Sequence, residues 1–253
     1  MVTSDLRPAV VDLVREAGRA TMVYYDGTVA SDVREKDDRS PVTAADEVAH
    51  GILLEGLRRL DPVTPIVSEE AEADDFETRR EWRRFWLVDP LDGTKEFIKR
   101  RAEFTVNVAL IENGEPVLGV VEAPALDLVY WAVKGGGAWR EEKGGPAERI
   151  YSSAQAPGTP LTVVESLSHP SPELEEYLQT IPVARRVKAG SSLKFCWVAE
   201  GRADLYPRLG PTMEWDVAAG DCVYRQSGRE GERPSPLTYN KPDLRNTSFV
   251  IGL

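Results

Sequence analysis

The stretch Trp86-Leu87-Val88-Asp89-Pro90-Leu91-Asp92-Gly93-Thr94 decides how this sequence folds and where its chemistry lies. Its aromatic and branched apolar residues predict a short buried strand that ends at two aspartates around a proline. The Asp-Gly pair then predicts a turn, and the hydroxyl of Thr94 follows. Two carboxylates and a backbone carbonyl at the end of a buried strand are typical oxygen ligands for Mg²⁺. An isolated Asp-Gly pair would indicate only a turn, so the metal interpretation needs further acids.

Acids follow or begin predicted elements at two other places. Glu69 comes directly after the apolar run 65–68, and Asp216 precedes a run of small residues that predicts a helix. Each alone is a weak signal, because acids near a helix N-terminus often only complement its dipole. Together the three places are typical of a multi-ion phosphoryl-transfer site, in which metals bind the phosphate and lower the pKa of an attacking water. The predicted set is Glu69, Asp89, Asp92 and Asp216.

The composition is that of an acidic globular chain. Its 253 residues can bury a full core as one large domain or two small ones. A net charge of −11 argues against a nucleic-acid polymer or an anionic membrane surface as the main partner. A small polyanion remains possible as a partner where bound metals and a local basic cluster make the electrostatic potential positive. No apolar run reaches membrane-spanning length, no signal peptide is evident, and two cysteines argue against a disulfide framework. We therefore expect a cytoplasmic protein.

Helical and strand patterns alternate in the first part of the chain. Apolar spacing predicts a first helix over 6–17, and Thr43 is predicted to cap the second, with Asp46 as its capping-box partner. From spacing alone, Asp46 is as readily a cap as a site residue. Period-two patterns predict antiparallel strands at 105–111, 116–122 and 128–133. The glycines at 135–137 lack the context of a phosphate loop and predict a plain turn.

A change of composition over 143–160, rich in Gly, Pro, Ser and Ala, predicts a domain boundary. We expect an N-terminal α+β half, 1–158, that carries most of the metal ligands. A C-terminal α/β half, 159–253, is then expected to carry Asp216 and the residues that select the substrate. Its patterns predict strands at 161–166 and 203–208 and helices at 172–180, at 192–201 and after Asp216, with a surface loop at 229–236.

Five motifs are spread along the chain, and the similarity to which they belong runs nearly end to end. They are Ser40-Pro-Val-Thr-Ala-Ala-Asp46, the run Trp-Leu-Val-Asp-Pro-Leu-Asp-Gly-Thr-Lys-Glu-Phe-Ile-Lys over 86–99, Glu103-Phe-Thr-Val-Asn107, Gly190-Ser-Ser-Leu-Lys-Phe-Cys196 and Leu205-Tyr-Pro-Arg208. With them the sequence resembles the lithium-sensitive, Mg²⁺-dependent phosphatases of the inositol monophosphatase superfamily. Within it, the sequence is most similar to the CysQ-type 3′(2′),5′-bisphosphate nucleotidases. The resemblance implies an α+β / α/β fold, the layered αβαβα sugar-phosphatase fold, with the site between the two halves.

The resemblance also implies two to three Mg²⁺ ions. Glu69, Asp89 and the backbone carbonyl of Leu91 are expected to hold one ion. Asp89, Asp92 and Asp216 are expected to hold a second, and Glu69 to help a third that carries the attacking water.

Catalysis is expected from Asp46, Thr94 and Glu69. By resemblance, Asp46 polarises Thr94, which takes the proton of the water or aligns it. The amides of Gly93 and Thr94 are placed to cradle the phosphate.

Selectivity is expected from the second half of the chain. Ser191 and Lys194 stand one helical turn apart at a predicted helix start, where hydroxyl, ammonium and helix dipole can converge on an anion. By resemblance they contact a second, 5′ phosphate, with Arg208 nearby; the alternative is that Lys194 and Arg208 are solvated surface charges. His169 is expected either to face the nucleoside or to be structural. The full predicted substrate set is Glu69, Leu91, Asp92, Gly93, Thr94, His169, Ser191, Lys194, Arg208 and Asp216.

The expected activity is hydrolysis of adenosine 3′,5′-bisphosphate (PAP) to AMP and phosphate, with the sulfated relative PAPS as a further substrate. An inositol or other sugar monophosphatase shares every metal ligand but needs no second phosphate site. A non-catalytic nucleotide or cation sensor is the alternative of another class, and the intact ligand set argues against it. The expected partner is a small nucleotide bisphosphate, and a monomer is favoured over a dimer.

Overall fold

The computed structural model describes residues 3–27, 33–35, 41–168 and 171–252. The helices of this part of the chain are α1 (Thr3–Tyr25), α2 (Ala44–Leu60), α3 (Phe76–Arg79), α4 (Thr94–Ile98), α5 (Pro172–Leu178), α6 (Leu193–Ala199) and α7 (Glu214–Arg225). The strands are β1 (Val33–Glu35), β2 (Pro41–Thr43), β3 (Ile66–Ser68), β4 (Arg84–Asp92), β5 (Thr105–Glu112), β6 (Glu115–Ala123), β7 (Leu128–Val133), β8 (Gly137–Glu142), β9 (Glu148–Ile150), β10 (Leu161–Ser166), β11 (Val183–Ala189), β12 (Leu205–Arg208), β13 (Thr212–Met213), β14 (Arg245–Asn246) and β15 (Phe249–Gly252).

Two sheets organise these elements. Strands β3 to β9 form a seven-stranded sheet in sequential order, antiparallel except for the parallel pair β3 and β4. The second sheet has the order β11-β10-β12-β15, in which β10 runs parallel to both of its neighbours and β15 is antiparallel. Two short antiparallel pairs, β1 with β2 and β13 with β14, lie outside these sheets.

The helices and sheets are arranged in five layers. Strand β4 shows how the large sheet packs, because its alternating side chains contact helices on both faces. Trp86 and Val88 belong to a core cluster with α1 and α2, whereas Leu87 belongs to a cluster with α6 and α7. Successive strand residues point to opposite faces, so each face of the sheet buries one pair of helices. The second sheet packs on the far side of α6 and α7, and α5 covers its outer face. This is the αβαβα arrangement that the resemblance implied.

Most of the predicted elements are confirmed. The first helix, the capping box formed by Thr43 and Asp46, the hairpin strands β5 to β7 and the turn at 134–136 all lie where the sequence patterns placed them. Both cysteines are buried and free. Among the described helices, none combines the length and the apolar character needed to cross a bilayer. The division at residue 158 stays a prediction, and β9 lies inside the predicted boundary segment.

Strand β4 ends at Asp92, the second of the two aspartates at which the sequence predicted its end, and its register against β5 shifts between Asp89 and Asp92. Pro90 has no N–H for the ladder, so a local irregularity lets the strand pass it. The position predicted for Asp216 was wrong. Asp216 does not precede α7 but is its third residue, and its carboxylate accepts a hydrogen bond of 2.8 Å from the amide of Met213.

Candidate active site

Three carboxylates from distant parts of the sequence meet at one end of the seven-stranded sheet. Glu69 follows β3, Asp89 lies in β4, and Asp216 lies in the first turn of α7. The amide of Glu69 donates to the carbonyl of Val88, so the parallel pairing of β3 and β4 sets the first two acids side by side. One oxygen from each of the three carboxylates lies within 4.8 Å of the others.

This acidic cluster carries charges that the protein alone does not balance. Burial, followed by the neighbouring Glu69, raises the pKa of Asp89 well above its usual range. Burial and the charge of Asp92 raise the pKa of Asp216 to about 8. Close buried carboxylates repel one another unless protons or a cation lie between them. The donors are all oxygens, and oxygen donors are the ligands that hard divalent cations prefer. The cluster therefore fits a divalent metal ion.

Leu91 and Asp92, two and three residues after Asp89 along β4, line one cleft together with the three carboxylates. The carboxylate of Asp92 accepts a hydrogen bond from the Ser191 hydroxyl. Burial raises its pKa, and the ammonium of Lys194 acts against this rise. The Leu91 carbonyl accepts a hydrogen bond of 3.3 Å from the hydroxyl of Thr94. The carboxylate of Asp92 and the carbonyl of Leu91 thus lie at the edge of the acidic cluster, and their role as metal ligands stays a prediction.

Asp46 and Thr94, the predicted catalytic pair, make their hydrogen bonds with other residues. Asp46 accepts from the amide of Thr43 at 2.9 Å and from its hydroxyl at 2.6 Å. Burial raises the pKa of Asp46 to about 6. The Thr94 hydroxyl donates to the Leu91 carbonyl oxygen instead. Among the hydrogen bonds of the described residues, Asp46 thus appears as a helix cap, and its pairing with Thr94 stays a prediction.

Gly93 allows the sharp change of direction between β4 and α4. Its φ is 90°, in the left-handed region, where a side chain is strained. Its carbonyl accepts the first helical hydrogen bond, from Phe97 at 3.0 Å. The turn therefore sets both Gly93 and Thr94 on the wall of the cleft, as predicted for residues that contact a phosphate.

Two cationic side chains from the second half of the chain line the same cleft, which has a volume of about 300 Å³. Lys194 is only 7% exposed, and burial lowers its pKa to about 8. Its ammonium donates to the carbonyl of Ser191 and lies 5.5 Å from the ring centroid of Tyr206. Arg208 donates from Nη2 to the carbonyl of Pro211 at 3.0 Å. Lys194 is therefore a buried charge of the cleft rather than a solvated surface charge.

Ser191 links the two halves of the site. Its backbone is left-handed, with a φ of 54°, and it precedes α6 rather than standing in its first turn. Its hydroxyl contacts both Asp92 and Thr105. In this structure Ser191 thus holds a predicted metal ligand in place, and its predicted contact with a second phosphate stays a prediction.

The sequence reasoning missed several residues of the cleft wall. Glu96, three residues after Gly93, is buried, lines the cleft and accepts a hydrogen bond from the Ser168 hydroxyl across the two halves. The ring of Tyr206 lies beside the ammonium of Lys194. The only sequence signal for Tyr206 was its place in the motif that ends at Arg208. His169, predicted to contact the nucleoside, lies outside the described residues.

Comparison with known proteins places this site in a family. The model of the inositol monophosphatase family matches residues 3–247. This chain belongs to that family. The match spans the acidic cluster, the Gly93 turn and the two cationic side chains, Lys194 and Arg208, that the second half of the chain contributes to the cleft.

Curated relatives extend over nearly the full length. The chain is 52% identical over 247 residues to the 3′(2′),5′-bisphosphate nucleotidase CysQ of Escherichia coli K12, covering 96% of this chain and 98% of that protein. It is 53% identical over 219 residues to the protein of the same name from Salmonella typhimurium, covering 87% of each chain.

Solved structures share the fold. The crystal structure of CysQ from Bacteroides thetaiotaomicron, 36% identical, superposes with a TM-score of 0.82 over 99% of this chain and 98% of that one. An IMPase from Thermotoga maritima, 26% identical, gives a TM-score of 0.77 over 100% of this chain and 92% of that one. The layered fold predicted from the resemblance is confirmed.

Proposed function

We propose that this chain is a 3′(2′),5′-bisphosphate nucleotidase that hydrolyses the 3′-phosphate of PAP to AMP and phosphate. One observation carries the proposal. The acidic cluster and two cationic side chains, Lys194 and Arg208, line a single cleft. A substrate with two phosphates matches both: one phosphate at the metal-binding acids and one at the cations. The 52% identity to a relative of that name supports the same assignment.

We propose Mg²⁺ as the metal, with two to three ions held by Glu69, Asp89 and Asp216 together with Asp92 and the Leu91 carbonyl. When bound, the metal neutralises charge on the phosphoryl oxygens and lowers the pKa of the attacking water. Ionised carboxylates have no hydrogen-bond donor that would oppose a cation. Their mutual repulsion favours any arrangement that places a cation among them.

Thr94 and Asp46 would align the attacking water. The hydrogen bond of 3.3 Å between Thr94 and the Leu91 carbonyl is long for a hydroxyl donor, so the Thr94 hydroxyl can turn to another partner at little cost. Asp46 is ionised above its pKa of about 6 and can then accept a hydrogen bond from that hydroxyl. We propose that both residues change partners when substrate is bound.

The second phosphate would be recognised by charge. The ammonium of Lys194 is stripped of most of its water and faces Asp92, so an incoming phosphate gains a charge-assisted hydrogen bond. The Nε of Arg208 is buried without a hydrogen-bond partner among the described residues, so it keeps an unused donor at the cleft. A monophosphatase of this family would not need these cations, and a non-catalytic sensor would show binding without turnover.

Phosphate release from PAP, PAPS and inositol 1-phosphate, each titrated with Mg²⁺ and repeated with lithium, separates these functions. Preference for PAP with a dependence on Mg²⁺ supports the proposal, and preference for inositol 1-phosphate contradicts the substrate. Lys194→Ala should lose efficiency on PAP, whereas Lys188→Ala, at an exposed position on β11, is the matched control.

We also propose that the enzyme is a cytoplasmic monomer. Among the described residues, the large apolar side chains with substantial exposure lie at four separate places: Val23 in α1, Val48 in α2, Val63 in the turn after α2, and Ile98 in α4. Buried free thiols fit a reducing compartment. Light scattering measures the mass in solution, and twice the chain mass contradicts the monomer.

A further inference from the structure

A groove of about 860 Å³ lies where β7, β8 and β9 meet the C-terminal end of α6. Lys194, near the start of this helix, lines the active cleft, whereas Glu200, just past its end, lines the groove. The helix has seven residues, so the two sites are separated along its axis by about 10 Å. The groove is therefore a second concave surface, distinct from the active cleft.

The groove is positively charged, whereas the chain as a whole is negatively charged. Five cations and two carboxylates line it, which leaves three positive charges in excess on a chain of net charge −11. A local patch of this kind attracts anions. The cations are Arg140, Lys143, Arg149, Arg202 and Arg229, and the carboxylates are Glu142 and Glu200.

Both carboxylates are already engaged by their neighbours. Glu200 accepts hydrogen bonds from the Tyr130 hydroxyl at 2.9 Å and from Arg140 at 3.4 Å. Glu142 pairs with Arg140 and, at 3.4 Å, with the ammonium of Lys143. Burial raises the pKa of Glu200, and the charges of Arg140 and Arg202 act against this rise. The ion pairs of the two acids thus involve Arg140 and Lys143, and the three other arginines supply the excess charge.

Each of these three arginines lies against an aromatic ring. The guanidinium carbons of Arg149 and Arg229 lie 5.4 Å and 4.5 Å from the ring centroid of Tyr151, so they are at most about 10 Å apart. That of Arg202 lies 3.5 Å from the ring centroid of Trp197. Within the described part of the chain, none of the three forms an ion pair. All three side chains are exposed, and the ring beside each guanidinium restricts its motion before any ligand arrives, which reduces the entropy cost of binding.

We propose that this groove binds a small molecule that carries several phosphate or sulfate groups. Guanidinium forks donate two parallel hydrogen bonds to such oxyanions, and Arg is suited to this contact. A ligand with a single charge meets one or two of the arginines, whereas a ligand with several charges bridges all three and relieves their mutual repulsion. The groove is defined by Arg149, Arg202 and Arg229, and it does not depend on the substrate of the active cleft.

Calorimetric titration with tripolyphosphate, in low salt and with EDTA, tests the site. The combined variant Arg149→Gln, Arg202→Gln and Arg229→Gln should bind at least about a hundredfold more weakly, because charge-assisted hydrogen bonds are lost. The control variant Arg58→Gln, Arg59→Gln and Arg185→Gln changes the net charge equally at exposed positions and should bind within about threefold of the wild type. Circular dichroism verifies that both variants fold.

The active cleft is the competing site for tripolyphosphate. Lys194→Ala weakens binding there and should leave the groove titration unchanged. Inorganic phosphate should bind at least about tenfold more weakly than tripolyphosphate, because it bridges fewer arginines. The proposal is overturned if wild-type protein does not bind tripolyphosphate, if the groove variant binds like the control, or if Lys194→Ala alone removes binding.

Discussion

Replacing Glu122 with glutamine removes a carboxyl group that is buried between β6 and α1, outside the acidic cluster of Glu69, Asp89 and Asp216. Glu122 is 8% exposed, and its Oε2 has no hydrogen-bond partner among the described residues. It fits because Gly18 has no side chain: a Cβ there would lie 2.3 Å from this oxygen. Burial raises the pKa of Glu122 from 4.5 to about 8, against the charges of Arg15 and Arg19.

The raised pKa of Glu122 determines whether the folded state gains or loses stability as the pH rises. Between pH 4.5 and about 8 the folded protein keeps a proton that the unfolded chain has released, so raising the pH through this window destabilises the fold. The whole shift corresponds to about 5 kcal/mol, and the part between about pH 6 and about pH 8 to about 2 kcal/mol. Glu122→Gln cannot ionise and should not lose this stability.

Urea unfolding at the two pH values measures the effect. The stability of Glu122→Gln relative to wild type should rise by about 2 kcal/mol from about pH 6 to about pH 8. Comparing the same pair at both values cancels any constant cost of burying the amide. Glu55→Gln, at an exposed position on α2, should show no such rise. Identical pH profiles for Glu122→Gln and wild type would refute the reasoning.

Further predictions concern the active cleft. Asp89→Asn should lower phosphate release from PAP by at least about a thousandfold, because a buried charge at the acidic cluster is lost, and steady-state kinetics measures this loss. Mg²⁺ at a hundredfold above its Kd should raise the midpoint of thermal unfolding by about 5–10 °C, and Asp216→Asn should reduce this rise; an equal rise in the variant contradicts the assigned site. Lys194→Ala should lower kcat/KM for PAP by about 10–100-fold while changing that for inositol 1-phosphate by less than about threefold, and an equal loss on both substrates argues against a second phosphate site.

The sequence predicted well what depends on local pattern. The capping box at Thr43 and Asp46 needs residues only three apart, and the antiparallel hairpins of β5 to β7 need period-two patterns joined by short turns. The meeting of Glu69, Asp89 and Asp216 was also predictable, because acids placed at the ends of buried elements in one layered fold converge at the same edge. The local spacing of residues and the positions of element ends are therefore enough to predict the fold and the centre of the site.

What the sequence did not predict depends on packing between distant segments. The burial of Lys194 follows from its place over Tyr206 and next to Asp92, which are separated from it in the chain. The contact between Glu96 and Ser168 joins α4 to the segment after β10, and no sequence pattern at either residue predicts it.

The excess charge of the groove has the same origin. Arg149 belongs to β9, Arg202 follows α6, and Arg229 lies in a segment that the sequence indicated only as a surface loop. Their separation in the chain hides the cluster, because a charge run is visible in a sequence only when its members are neighbours. The folded chain brings two of them to one ring, that of Tyr151.

Mg²⁺-dependent phosphate release from PAP and inositol 1-phosphate, measured side by side for wild type and Lys194→Ala, tests the central claim most directly. The account predicts that wild-type protein prefers PAP, that EDTA abolishes the activity, and that the variant loses most of the preference. A preference of the wild type for inositol 1-phosphate, or a preference for PAP that the variant keeps in full, would contradict the assignment of the cleft to a nucleotide with two phosphates.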